Sequence, residues 1–170
     1  MSDPILPGER IVLRPVRKGD RPRLREILAE PEVNRWWGPG DADHLVDDWL
    51  DVGDGAVFAI EFDGELVGSI QYAEENGADY RHAGIDLFLD TAHQGRRLGT
   101  DAIRALAHYL FEIRLHHRLT IDPAVANERA IRAYRRVGFR PVGVMRAYER
   151  GRDGTWHDGL LLDMLDAELT

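Results

Sequence analysis

Hydrophobic residues recur along this chain in two rhythms, and each rhythm predicts a different element. Residues 10–16, RIVLRPV, alternate apolar and polar as a strand does. Leu24, Ile27 and Leu28 then repeat at helical spacing; Asp20 is placed to cap that helix, Pro22 suits its first turn, and it should end before Pro31. Asn34 to Gly40, NRWWGPG, reads as a loop. Asp41 can cap a second short helix whose apolar side is Leu45, Val46, Trp49 and Leu50. Ala56–Phe62 and Leu66–Tyr72 read as two strands joined by an Asp63-Gly64 hairpin turn, and Glu74 to Tyr80 as a polar loop.

The stretch from His82 to Arg104 stands out. Ile85, Leu87 and Leu89 alternate with Asp86 and Phe88, so a strand is expected with a carboxylate in its middle. Gln94, Gly95, Arg96, Arg97, Leu98, Gly99 and Thr100 follow as a tight basic loop. Ile103, Leu106, Ala107 and Leu110 then carry a helix. A glycine loop entering a helix N-terminus presents unpaired N–H groups and a positive dipole end, which suits a phosphate or pyrophosphate. An ordinary strand–helix connection accounts for the loop equally well. Downstream, Leu119–Ile121 is a short strand stopped by Asp122-Pro123. Asn127 opens a helix with Ala130, Ile131 and Tyr134, and Gly138 closes it. Val142–Val144 and Leu160–Leu162 are the last strands, joined by a turn near Asp153-Gly154. This order describes a mixed α/β sheet covered by helices, in one domain over residues 1–170.

Composition narrows the function classes. The net charge of −8 argues against a nucleic-acid surface and is compatible with a cationic ligand. No apolar run approaches a membrane span, and MSDPILPGER lacks the pattern of a secretory signal, so a cytoplasmic location is the expectation. Without cysteine there is no disulfide and no thiolate metal site. The histidines show no metal-ligand spacing, and no metal is expected; His157 could approach a site from a late strand. Asp43, Asp47 and Asp51 repeat at i, i+4, either as a solvated acidic face beside arginines or as a rim for a polycation. Asp86 and Asp122 both lie toward the carboxyl ends of predicted strands, where α/β sheets bind ligands. Either alone could be a cap or a salt-bridge partner. Asn127 could be only an N-cap, and Tyr134 only a half-buried aromatic.

Taken together, two segments resemble the GCN5-related N-acetyltransferase (GNAT) family. Gln94-Gly95-Arg96-Arg97-Leu98-Gly99 matches its Q/R-x-x-G-x-G/A pattern, except that Arg97 replaces the middle glycine. Asn127, Ala130, Ile131, Tyr134, Gly138 and Phe139 complete N-x-x-A-I-x-x-Y-x-x-x-G-F. The resemblance implies a mixed, mostly antiparallel central sheet with splayed central strands, covered by helices on both faces, and acetyl-CoA as cosubstrate. Pantetheine would lie along Leu87, Phe88 and Leu89. The pyrophosphate would rest on the N–H groups of residues 95–100, Gln94 would belong to the same cofactor loop, and Asn127, Ala130 and Tyr134 would flank the arm, with the Tyr134 hydroxyl facing the sulfur. RWWGPGD, GIDLFL and TIDPAVANERAIRAY further resemble segments of aminoglycoside 6′-N-acetyltransferases, with Gly38-Pro39 in place of Gly-Gly and Leu87 in place of a glutamine. By position, Asp86 would be the base or amine anchor, Asp122 a second ammonium site, and Trp37 a wall of the acceptor site. The implied acceptor is a small polycationic amine, and the implied assembly a monomer or homodimer. With no serine or cysteine nucleophile in evidence, direct transfer in a ternary complex is expected. The rivals are an acetyltransferase for protein N-termini or other amines, and a non-catalytic acyl-CoA-binding module.

Overall fold

The computed structural model describes residues 3–170. Within them the strands are β1 (Leu6–Pro7), β2 (Val12–Pro15), β3 (Gly55–Phe62), β4 (Glu65–Glu75), β5 (His82–Leu89), β6 (Arg118–Ile121), β7 (Arg140–Arg150) and β8 (Trp156–Leu165). The helices are α1 (Arg21–Ala29), α2 (Pro31–Asn34), α3 (Ala42–Leu50), α4 (Leu98–His108) and α5 (Glu128–Val137). The strands form one eight-stranded sheet in the order β1-β2-β3-β4-β5-β6-β8-β7. Neighbours run antiparallel, save β5 beside β6, so the sheet is mixed and mostly antiparallel, as expected.

Alternation along the strands sorts the core into two faces. Phe58, Ile60, Ile70, Ile85, Leu87 and Leu89 pack with Leu98, Ile103 and Leu106 of α4 on one face. Val57, Leu66 and Phe88 pack with Leu24, Ile27, Val46 and Trp49 of α1 and α3 on the other. One buried hydrogen-bond chain locks α3 to the sheet: Trp49 Nε1 donates to Ser69 Oγ at 2.9 Å, and that hydroxyl donates to the Phe58 carbonyl at 2.7 Å.

Local signals explain most boundaries. Asp41 caps α3 through the His44 N–H at 2.9 Å, and Asn127 caps α5 through the Ala130 N–H at 3.3 Å. Asp63 and Gly64, at φ 50° and 79°, make the β3–β4 turn. Asp20 departs from expectation. Its carboxylate turns away from α1, accepting from Arg14 at 2.7 and 2.9 Å and from the Arg17 N–H at 2.7 Å. A largely buried arginine outbids a helix end, because a charge-assisted pair is the stronger partner. The aspartates of α3 behave as a solvated face: Asp43 and Asp47 pair with Arg25 and Arg21 of α1 at 2.9 and 2.6 Å.

The central feature is a split in the sheet. β5 and β6 register only at Ala83 with Leu119 and Gly84 with Thr120. Beyond that, β6 continues along β8 instead: the Leu160 N–H donates to Pro123 O at 2.8 Å and the Val125 N–H to Asp158 O at 2.9 Å. Leu87 to Leu89 therefore have β4 on one side and no strand on the other.

Candidate active site

The split opens into a cleft of about 900 Å³, floored by β5 and β6 and walled by the start of α4, the inner face of α5, the Trp36-Trp37 loop and the end of β7. At one end lies the basic loop. Gly95 and Arg97 both adopt left-handed backbone, φ 75° and 62°, and turn the chain into α4. None of the N–H groups of residues 95–100 donates to a protein acceptor among the described residues. Gln94 braces the turn, donating to Leu89 O at 3.0 Å and accepting from Arg129 of α5 at 3.2 Å. Glycine suits position 95 through its φ; an added Cβ would meet only the flexible end of Arg129, at 3.0 Å from Nη2. A helix N-terminus with a run of vacant donors, flanked by Arg97, Arg129 and Arg136, is built for a polyanion such as a pyrophosphate. Arg96 lines no part of the cleft: its guanidinium stacks 4.8 Å over Phe62. Only its backbone can serve the loop, because an aromatic face outside the cleft holds the side chain.

The middle of the cleft offers backbone. Asp90 N–H donates to Val67 O at 2.8 Å, which fixes the phase of the β4–β5 ladder. By the alternation of antiparallel pairing, the N–H and C=O of Leu87 then point away from β4 into the split. An extended amide-bearing chain can pair there as a strand would. Asn127, Ala130 and Tyr134 line the same stretch from α5. Phe88 lines the cleft but belongs mainly to the opposite core, against Trp37 at 6.0 Å and Trp49 at 4.7 Å between ring centroids.

The other end is acidic. Asp86, Asp122 and Glu149 line it from β5, from just beyond β6 and from β7, and no arginine or lysine pairs with any of them among the described residues. Asp86 is reached by solvent through the cleft yet lies deep within the protein. Burial first, then the charge of Asp122, pushes its carboxyl up to about 7, against a smaller opposing effect from Gln71 across the strand. Burial also raises Asp122 and Glu149. The Tyr148 hydroxyl donates to Asp122 Oδ2, and this holds Asp122 down against that rise. Tyr134 is kept protonated by burial and by the charges of Asp86 and Asp122, and its ring packs against Phe139 at 6.4 Å between centroids. Trp37 closes this end, edge-on to Trp49 at 5.2 Å.

Asp86, Tyr134, Asp122, Trp37 and Asn127 are thus brought to one cleft from four parts of the chain. His157 is not: it sits in the β7–β8 hairpin, 2.9 Å from Asp153. Sequence reading missed Glu149 and Tyr148. The one available signal was their place between two candidate strands, and nothing in RAYER marks an inward turn.

A split sheet with vacant strand-pairing groups, a basic loop with free N–H groups at one end and an acidic cluster at the other fits an acyl-CoA-dependent acyltransferase. The Acetyltransferase (GNAT) domain profile matches residues 10–140, and the chain belongs to that family. It is 30% identical over 158 residues to "Aminoglycoside N(6')-acetyltransferase type 1" of Klebsiella pneumoniae, covering 81% of this chain and 78% of that one. It is 27% identical over 139 residues to "Spermidine N(1)-acetyltransferase" of Escherichia coli, covering 78% and 74%. A structure of Mycobacterium smegmatis RimJ in complex with CoA-disulfide superposes with a TM-score of 0.82 at 28% identity, over 98% of this chain and 88% of that one. The protein is a GNAT-type N-acetyltransferase, and enzymes of this type use acetyl-CoA.

Proposed function

We propose that this enzyme acetylates a primary amine of an aminoglycoside, with the 6′-amino group as the target, by direct transfer in a ternary complex. The observation that carries the reading is the convergence of Asp86, Asp122 and Glu149 on one cleft without an arginine or lysine partner among the described residues; His157 stands opposite Glu149 alone. Carboxylates left unpaired beside one another are costly, and a polycation offsets that cost. A peptide N-terminus brings one ammonium and has no use for three carboxylates. The aminoglycoside relative adds independent support, although the spermidine relative shares the demand for a polycation.

The roles follow from position. Acetyl-CoA lays its pyrophosphate on the N–H groups of 95–100 and its pantetheine beside Leu87 to Leu89 and Asn127. Asp86 takes the proton of the acceptor ammonium, directly or through water; a carboxyl at about 7 is half ionised near neutrality, which suits a base. The Leu87 N–H polarises the acetyl carbonyl as the amine attacks. The carbon–sulfur bond then breaks, Tyr134 gives its proton to the departing thiolate, and the second proton shed by the acylated nitrogen restores Tyr134 through water. Asp122 and Glu149 hold further ammonium groups, and Trp37 borders them.

The test is CoA release with kanamycin-type aminoglycosides, spermidine and a peptide N-terminus offered in parallel. Turnover of the aminoglycosides at the highest kcat/KM is expected, and a preference for the peptide would overturn the reading. Asp86→Asn and Tyr134→Phe should lower kcat by about 10²–10⁴-fold with acetyl-CoA affinity little changed. Unchanged turnover in both variants would remove these roles.

A further inference from the structure

Tyr148 is held in place by more structure than a half-exposed tyrosine needs. On β7, Met145 registers with Gly159 and Glu149 with His157, so three β7 residues stand opposite the single β8 residue Asp158. The strand absorbs this excess at Ala147, which takes left-handed backbone at φ 49°. The Ala147 N–H, freed from the ladder, donates to Asp158 Oδ1 at 2.8 Å. The Tyr148 ring then lies against Gly159, where an added Cβ would stand 2.8 Å from Tyr148 Cδ2. A bulge, a left-handed alanine and a bare glycine all serve one ring.

The same β8 residues hold the segment that carries Asp122. Asp158 O accepts the Val125 N–H at 2.9 Å, Gly159 bridges Ala124, and the Leu160 N–H donates to Pro123 O at 2.8 Å. Asp158 to Leu160 are therefore a common rail that sets the Tyr148 ring and the Asp122 carboxylate against each other. The Tyr148 hydroxyl donates to Asp122 Oδ2. With Tyr148 exposed by 45%, core packing does not explain the arrangement.

We propose that Tyr148 is a positioning residue of the acceptor site: its hydroxyl holds the Asp122 carboxylate in place at the cleft, where it anchors a second ammonium group of the acceptor. This rests on the polyamine reading above and deepens it, because it makes Asp122 the element that tells polyamines from monoamines. The groups facing Asp122 are Asp86, Glu149, Tyr134 and Tyr148. The carboxylates among them oppose its charge, and Tyr148 is the side-chain donor its carboxylate is given, beside the residue's own N–H. The hydroxyl takes Oδ2, and no other side chain takes Oδ1 among the described residues, so an ammonium can reach it. Removing the donor lets Asp122 hold a proton to higher pH and lose its orientation.

Two variants remove the contact differently. Tyr148→Phe deletes the hydroxyl and keeps the ring; Gly159→Ala keeps the hydroxyl and displaces the ring. In both, KM for an aminoglycoside or spermidine should rise roughly tenfold, the loss of one hydrogen bond to a charged group. The kcat, the KM for acetyl-CoA and the KM for a simple primary monoamine should stay within about threefold of wild type. Carbonyl ¹³C NMR of labelled aspartate, with Asp122→Asn to assign the signal, should show Asp122 titrating at higher pH in Tyr148→Phe. The proposal is overturned if that titration does not move, or if monoamines and polyamines lose equally. Should the wild type acetylate no polyamine, the functional reading fails, while the titration still decides whether Tyr148 governs Asp122.

Discussion

Arg97 occupies a position whose backbone favours glycine. Its φ of 62° and ψ of 16° are left-handed, and a side chain there costs about 1 kcal/mol or more. The guanidinium makes no salt bridge among the described residues and lines the anionic-ligand end of the cleft. The strain is thus retained beside the expected phosphates, where an added positive charge is useful. Arg97→Gly should stabilise the free protein by about 0.5–1 kcal/mol. It should raise the KM for acetyl-CoA several-fold and flatten its dependence on salt. A urea melt and KM at two ionic strengths check both signs; a destabilised variant with unchanged KM would mean the arginine is held by contacts and not by function. The departure at this position was legible in the residues, but the left-handed turn that gives it a cost was not. Tyr148 and Glu149 were illegible for a related reason. They depend on two extra residues in one strand, and a bulge changes which face a side chain meets without changing the composition around it.

Among the elements, α4 has the largest proposed functional duty, since its N-terminus ends the basic loop assigned to the pyrophosphate. Its orientation is set by Asp101, in its first turn. That carboxylate accepts the N–H groups of Glu9, Arg10 and Ile11 at 2.8, 2.7 and 3.0 Å and is 7% exposed. Arg10 in turn donates to the Arg96 carbonyl at 2.9 Å, so the segment before β2 reaches the loop itself. Asp101→Ala would leave three N–H groups with one carboxylate fewer to serve them, and should cost about 2–4 kcal/mol. The loss should appear as a lower Tm together with a raised KM for acetyl-CoA, and Asp101→Asn should recover part of both. An unaltered KM at reduced Tm would show that the N-terminal segment supports stability alone. Element types and most boundaries followed from periodicity and caps, because those are local. Asp20 did not follow its local signal, because its partner Arg14 lies on another element and competes with the helix end.

At the scale of the whole molecule, the split sheet trades stability for chemistry. Closing β5 onto β6 would pair the vacant backbone and bury the strands; keeping them apart leaves Asp86, Asp122 and Glu149 unpaired in a cleft. The two aspartates were legible as candidates because each interrupts or ends an apolar strand. Their place at one acceptor site was expected from the strand ends and the family resemblance; the route that brings them together, β6 following β8 past the split, was not legible. The trade has a measurable sign. The Asp86 carboxyl sits at about 7 in the folded protein against 3.8 when unperturbed. Below about 4 both folded and unfolded chains hold the proton, and Asp86 carries no penalty. Between there and about 7 the unfolded chain gives up its proton while the folded chain keeps it, so the fold loses stability as pH rises through that window. The full interval corresponds to about 4 kcal/mol; because water reaches Asp86 through the cleft, about 1–2 kcal/mol is the expected effect. Asp86→Asn does not titrate. It should match the wild type in urea melts at pH 4 and exceed it by about 1–2 kcal/mol at pH 7.5, while losing turnover. A gap that stays constant across pH would mean that Asp86 ionises at an ordinary pH in the folded protein, and a carboxylate of that kind would be too weak a base for the role assigned to it.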